Sequence, residues 1–96
     1  MNEEKRKIEY APRAAKKIRN LDDHIRKRVG KSLKRLESHP ELGKSLRGKR
    51  NIYSYRFGTS GGEFRAIYRL KSDCILVVLV GTREEIYQVL ERSKYG

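Results

Sequence analysis

Hydrophobic and polar residues alternate with two different periods along this chain, and the change of period divides it into two halves. The first half begins with a short alternating segment, Lys7–Tyr10, which predicts a strand. Pro12 favours the first turn of a helix that continues to about Asn20. Asp22 is a candidate N-cap for a second helix, which ends near Ser38 because a proline follows.

The second predicted helix has one apolar face and a basic remainder. Its apolar positions recur at spacings of four, four and three, as one helical face requires: Ile25, Val29, Leu33 and Leu36. Its other positions carry cations: Arg26, Lys27, Arg28, Lys31, Lys34 and Arg35. The two helices therefore form a hairpin with an apolar inside and a cationic outside.

After a loop at Glu41–Gly48 the period changes to two, which is typical of strands. The predicted segments are the strands Tyr53–Phe57, Phe64–Leu70 and Ile75–Val80, the glycine-rich turn Gly58–Gly62 and a final helix from Glu84 to about Arg92. The third strand is apolar throughout and should be covered on both faces. The fold class is α+β: a small twisted, mainly antiparallel sheet packed on an N-terminal helical hairpin, in the order β-α-α-β-β-β with a short C-terminal helix. We expect one domain over residues 1–96.

Three arginines of the second half are predicted to meet on one surface. If Ser60-Gly61 forms the tight turn, Arg56 lies directly opposite Arg65, and like charges so placed repel each other. A shared anion explains the pair better than a surface accident, because each guanidinium can donate two parallel bonds to phosphate oxygens. Arg83 follows the last strand, one helical turn before Tyr87. This grouping suits a phosphodiester under attack.

The surroundings of these arginines add two expectations. Alternation places Arg65, Ile67 and Arg69 on the face opposite the apolar one, and we expect no carboxylate partner for Arg65 or Arg83. Tyr87 has three possible roles: it stacks on a base, relays a proton, or belongs to the core.

The net charge of +12 favours nucleic acid or an acidic protein as partner. Residues 1–50 carry 17 Lys/Arg against 7 Asp/Glu, so most of the excess lies in the helical half. The alternative is that this cationic face only keeps the helices in contact with water and has no binding role. The predicted RNA-binding residues come from the second helix and the segment after it: Arg26, Lys27, Lys31, Lys34, Arg47 and Lys49.

Other classes of function are disfavoured by composition. No apolar run approaches the roughly 20 residues of a membrane span, and the charged N-terminus does not look like a signal peptide. A single cysteine, Cys74, rules out an intrachain disulfide and a cysteine zinc site; it is expected to be buried, and a reducing cytoplasmic location follows. Carboxylates of the second half lack metal-ligand spacing, so we expect neither metal nor cofactor.

Four segments, in order, resemble the RelE/ParE superfamily of toxin–antitoxin toxins over roughly residues 7 to 90. They are Leu46–Gly48, Tyr53–Arg56, Glu63–Tyr68 and Val80–Tyr87. The resemblance implies a RelE-like fold. For the RelE-like branch it implies a ribosome-dependent mRNA interferase, which cuts mRNA in the ribosomal A site through attack by a ribose 2′-hydroxyl.

By the same resemblance, the catalytic residues are Arg56, Arg65, Arg83 and Tyr87. One position departs from the pattern: many RelE-like toxins have a second basic residue where this chain has Ser54, which leaves the general base open. The implied partners are the ribosome, mRNA and a RelB-like antitoxin that is acidic and has an amphipathic helix.

Two alternatives stay open at this point. A ParE-type toxin shares the fold and poisons DNA gyrase, but such toxins generally lack the full set of arginines and tyrosine. A non-catalytic basic module would bind RNA or an acidic protein through its helices.

Overall fold

The computed structural model describes residues 6–93, and its helices and strands follow the predicted order with one addition. Their bounds are β1 Lys7–Tyr10, α1 Pro12–Arg19, α2 Asp23–Ser38, β2 Lys44–Ser45, β3 Ile52–Thr59, β4 Gly62–Leu70, β5 Cys74–Thr82 and α3 Arg83–Ser93. The addition is β2, which follows a 3₁₀ turn at Pro40–Leu42. The prediction of a loop over Glu41–Gly48 is therefore wrong at Lys44 and Ser45, because both pair with β3.

The five strands form one sheet in the order β1-β5-β4-β3-β2. β1 is parallel to β5 and every other pair is antiparallel, so the mainly antiparallel α+β prediction is confirmed. Thr59 pairs with Gly62, which leaves Ser60 and Gly61 as the tight turn of the β3–β4 hairpin. Gly62 has a φ of 110°, a conformation that favours glycine.

The larger core lies between the helices α1 and α2 and one face of the sheet. Val29, Leu33 and Leu36 of α2 have no exposed surface, and they belong to one cluster with Tyr55 and Phe64 of the sheet. Burying each such side chain stabilises the fold by about 1.5–3 kcal/mol. The apolar face predicted for α2 is therefore its packing face. Asp22 precedes α2 as predicted, but its side chain makes no capping hydrogen bond.

A smaller cluster lies on the opposite face of the sheet, under α3. It consists of Ile67, Leu79 and Ile86. The expectation that Ile67 shares a polar face with Arg65 and Arg69 is thus only half right, because α3 covers that face at Ile67, which is 2% exposed. β5 contributes to both clusters, as its apolar run predicts, and Val78 is the extra residue of a β-bulge opposite β4.

Cys74 is buried at the start of β5, as expected, and burial raises the pKa of its thiol. A raised pKa disfavours the reactive thiolate. Within residues 6–93, no helix combines the length and apolar character needed to cross a bilayer.

Candidate functional site: a cationic cleft beneath α3

The β3–β4 hairpin places Arg56 directly opposite Arg65, which confirms the predicted register. Both side chains alternate with core residues, so they lie on the face that α3 partly covers, away from α1 and α2. Arg65 is the more enclosed, with 19% of its side chain exposed, and its Nε donates to Glu63 Oε2 at 3.2 Å. The expectation that Arg65 has no carboxylate partner is wrong, since Glu63 is on the same side of β4.

A capping box starts α3 and fixes the direction in which the helix leaves the sheet. The Glu85 amide donates to Thr82 Oγ1 at 3.2 Å, and the Thr82 amide donates to Glu85 Oε1 at 2.8 Å. Glu85 Oε2 also accepts a hydrogen bond from Lys17 Nζ of α1 at 2.8 Å. Burial acts to raise the pKa of Glu85, but the hydrogen bonds from Lys17 and Thr82 outweigh burial and lower it.

Gly81 leaves the space that this cap needs. A Cβ at residue 81 would lie 2.7 Å from Glu85 Oε1 and 3.3 Å from Glu85 Cβ. A side chain there would therefore push the capping carboxylate away from Thr82. Gly81 also pairs with Arg65 across β4 and β5, so the cap lies beside the arginine pair.

The ring of Tyr87, on α3, contacts two guanidiniums, one from α3 and one from β4. Arg83 Cζ is 5.2 Å from the centre of its ring and Arg65 Cζ is 5.7 Å from it, both within cation–π range. Hydrogen bonding by Arg83, together with the charges of Arg65 and Arg83, lowers the pKa of Tyr87. Tyr87 is 44% exposed, so it is not a core residue. The phenol is thus solvent-accessible, and its cationic neighbours stabilise the phenolate relative to that of a free tyrosine.

Tyr87, Arg65 and Arg56 line an open cleft of about 440 Å³ between α3 and β2, whereas Arg83 is not part of its lining. Its volume is within the roughly 300–1,000 Å³ of small-ligand sites. Its polar lining comes from Lys44, Ser45, Ser54, Arg56, Arg65 and Tyr87, and Leu42, Leu46, Ile67, Ile86 and Leu90 supply apolar surface. Sequence reasoning missed Lys44, because a two-residue strand has too few positions for a period to be visible.

The predicted RNA-binding residues do not form one surface with the arginines. The α2 cations lie on the far side of the sheet, where Lys31 and Lys34 are exposed. Arg26 turns back to the end of α1, donating to the Leu21 carbonyl at 3.1 Å and pairing with Asp23.

Lys27 of α2 also pairs with Asp23, at 3.6 Å. The other two predicted residues lie outside α2. Arg47 and Lys49 lie in the β2–β3 connection, and Lys49 borders a small apolar pocket beside the cleft with Leu46 and Ile52. Of the six predicted residues, Lys49 adjoins the cleft, because Leu46 lines both that small pocket and the cleft. Among residues 6–93, no three His, Cys, Asp or Glu side chains cluster together.

Comparison with known proteins connects this geometry to one group of proteins. The family model described as "ParE toxin of type II toxin-antitoxin system, parDE" matches residues 8–87. No curated protein matches the chain in sequence.

Solved structures give the same result at the level of fold. An arginine-to-alanine double mutant of the Escherichia coli toxin RelE in the free state is 26% identical, with a TM-score of 0.74 over 93% of this chain and 98% of that one. The intact E. coli RelBE toxin–antitoxin complex aligns at 23% identity and a TM-score of 0.67, covering 80% and 95% of the two chains. The RelBE2 toxin–antitoxin complex of Mycobacterium tuberculosis aligns at 22% identity and 0.69, covering 82% and 99%.

Proposed function

Because the chain belongs to the ParE toxin family of type II toxin–antitoxin systems, and is a RelE-like member of the RelE/ParE superfamily, we propose that it is a ribosome-dependent endoribonuclease. Its substrate is mRNA in the ribosomal A site, and its effect is to stop translation. The observation that carries the proposal is the contact of the Tyr87 ring with the guanidiniums of Arg65 and Arg83, at an open cleft that Tyr87 and Arg65 line.

The first chemical step is removal of the proton from a ribose 2′-hydroxyl. Arginine is a poor base because it stays protonated, whereas a tyrosine whose pKa is lowered forms the phenolate more readily. We assign Tyr87 as the base. The 2′-oxygen then attacks the adjacent phosphorus, and the bond from phosphorus to the 5′-oxygen breaks. The products are a 2′,3′-cyclic phosphate and a 5′-hydroxyl, whose proton comes from water in the open cleft.

The arginines supply the electrostatic part of the reaction. Negative charge grows on the phosphoryl oxygens in the transition state, and guanidinium donors fixed beforehand stabilise it most. Arg65 is held by Glu63, and the Arg83 guanidinium lies against the ring of Tyr87. Arg56 faces Arg65 across the hairpin and neutralises the same phosphate. The reaction needs no cofactor.

The antitoxin and the ribosome are the proposed partners. Similar solved structures include toxins in complex with RelB antitoxins. A net charge of +12 calls for an acidic antitoxin, and an amphipathic helix covering the cleft would neutralise Arg56 and Arg65. Lys31 and Lys34, exposed on the far side of the sheet, are free to contact ribosomal RNA while the cleft holds mRNA.

Inhibition of DNA gyrase is the second candidate, because the matching family model is that of ParE toxins. The grouping of three arginines with one tyrosine favours RNA cleavage over it. Gyrase inhibition requires no acid–base chemistry, and it gives no reason for a tyrosine in contact with two guanidiniums.

One paired experiment separates the candidates. Toeprinting on translating ribosomes and a gyrase supercoiling assay are run with the wild type, Arg83→Ala and Arg92→Ala. Arg92 is an exposed arginine in the last turn of the same helix, so it is the matched control. We expect A-site cleavage that Arg83→Ala abolishes and Arg92→Ala retains, with supercoiling unaffected. Inhibition of supercoiling without cleavage would replace the proposal by the second candidate.

A further inference from the structure

Lys44 forms the wall of the cleft that is farthest from α3. It pairs with Ser54 across β2 and β3, so its side chain is on the same face as those of Ser54 and Arg56. All three line the cleft. Lys44 is exposed and Ser54 is half-buried, so an ammonium and a hydroxyl donor lie side by side at this wall.

The backbone that presents Lys44 is fixed from beneath by a buried tyrosine. The Gly43 amide donates to the Tyr68 hydroxyl at 3.0 Å, and that hydroxyl donates to the Pro40 carbonyl at 2.6 Å. Tyr68 has no exposed surface, and a Cβ at residue 43 would lie 2.6 Å from its hydroxyl oxygen. The short strand β2 therefore holds a defined place despite its length.

Within the described part of the chain, Lys44 has no carboxylate at ion-pair distance. None of the ion pairs found within residues 6–93 includes Lys44, whereas Lys17 and Lys27 are each paired with a carboxylate. A cation that lines a cleft without a carboxylate partner is available to an anion of the ligand.

The distance between Lys44 and the arginine pair determines which anion that is. Lys44 and Arg65 are on strands separated by β3, so two strand spacings of roughly 4.8 Å lie between them. This separation of about 10 Å exceeds the ~3.4 Å rise per nucleotide of a stacked strand. Lys44 pairs with Ser54 and Arg65 with Arg56, so the two positions are also offset by two residues along β3. The span from Arg65 to Lys44 therefore has room for a second phosphate beside the one held between Arg65 and Tyr87.

We propose that Lys44 and Ser54 form a second phosphate subsite, which binds a backbone phosphate flanking the one that is cleaved. This proposal rests on the proposed function and extends it: the mRNA strand runs across the sheet from α3 to β2. The Lys44 ammonium and the Ser54 hydroxyl both donate to that flanking phosphate. The subsite holds the strand in position and takes no part in proton transfer.

The test is binding to ribosomes whose A-site codon is uncleavable. The mRNA carries 2′-O-methyl riboses in that codon and one uncharged methylphosphonate, moved one position at a time. The toxins compared are the wild type, Lys44→Ala, Ser54→Ala and Arg65→Ala, with Lys16→Ala, an exposed lysine of α1, as the matched lysine control. Each Kd is measured at several salt concentrations.

Lys44→Ala should weaken binding about five- to tenfold and reduce the slope of log K against log salt by about 0.7, the value for one phosphate of a single strand. A methylphosphonate at one flanking position should weaken the wild type as much and leave Lys44→Ala unchanged. Ser54→Ala should have a smaller effect at the same position. Lys16→Ala should respond to every methylphosphonate as the wild type does.

Two results would contradict the proposed subsite, and they differ in whether they also contradict the proposed function. If Lys44→Ala stays as sensitive as the wild type at every position while Arg65→Ala loses sensitivity at one, the subsite is wrong and the proposed function stands. If no methylphosphonate alters wild-type binding, or the wild type does not bind, both are wrong.

Discussion

Replacement of Arg65 by alanine tests the proposed catalytic role most directly. The structure indicates that Arg65 contributes little to the stability of the protein, whereas its proposed contribution to the cleavage rate is large. In the folded protein Arg65 makes an ion pair with Glu63 and a cation–π contact with Tyr87. A solvent-accessible ion pair contributes about 0–1 kcal/mol, and an exposed cation–π contact about 0.5–1 kcal/mol. Relief of repulsion with Arg56 offsets part of this. We expect Arg65→Ala to lower the free energy of unfolding by less than about 2 kcal/mol.

The loss of activity should be far larger than that loss of stability. Removing one preorganised donor to a transition-state oxyanion typically costs about 10²–10³ in rate, or roughly 2.7–4 kcal/mol. Arg65→Ala also removes one of the two charges that lower the pKa of Tyr87. The rise of activity with pH should therefore move to higher pH as well.

The assay is single-turnover cleavage of ribosome-bound mRNA as a function of pH, with urea unfolding followed by circular dichroism on the same samples. Glu63→Gln is the matched control, because it removes the ion pair and keeps the guanidinium. It should lose far less activity than Arg65→Ala, because only the contact that holds the guanidinium is removed. The reasoning fails if Arg65→Ala cleaves within tenfold of the wild type, or if Glu63→Gln loses as much activity as Arg65→Ala.

Three further predictions follow from the site and from α2. Tyr87→Phe should abolish the increase of cleavage rate with pH that the phenolate gives the wild type; an unchanged pH–rate profile would exclude Tyr87 as the base. Glu85→Ala should destabilise the protein by about 1 kcal/mol at neutral pH in urea unfolding. Because folding lowers the pKa of Glu85, its contribution is present above the unfolded pKa and lost as pH falls through the folded pKa, so the difference should vanish in acid. Lys31→Glu with Lys34→Glu should weaken ribosome binding and flatten its salt dependence without slowing cleavage of bound mRNA; unchanged affinity would argue against contact by this face.

The hairpin and its arginine pair could be predicted because local rules determine them. A tight turn at Ser60-Gly61 fixes the register, and register alone places Arg56 opposite Arg65. The apolar period of α2 likewise fixes which side of that helix packs on the sheet. For these elements, residues a few positions apart in the sequence determine the local structure.

The rest depends on contacts between distant parts of the chain. Nothing local to Lys44-Ser45 indicates that they pair with β3, and the burial of Ile67 depends on where α3 returns. The ion pair between Lys17 and Glu85 joins α1 to α3, and no repeating sequence pattern relates these two helices. The sequence pattern therefore predicted that Arg56 lies opposite Arg65, but it did not predict the place of Lys44 or the cap that orients α3.

The parallel pairing of β1 with β5 also determines when the protein can fold during its synthesis. β1 begins at residue 7 and its partner at residue 74, so translation must produce nearly all of the described chain before that pair can form. Arg83 and Tyr87 come later still, on the helix that β5 leads into. For a protein proposed to attack translating ribosomes, a nascent chain has no assembled site while it is being synthesised. The ribosome that makes the toxin is thus spared until the chain is almost complete.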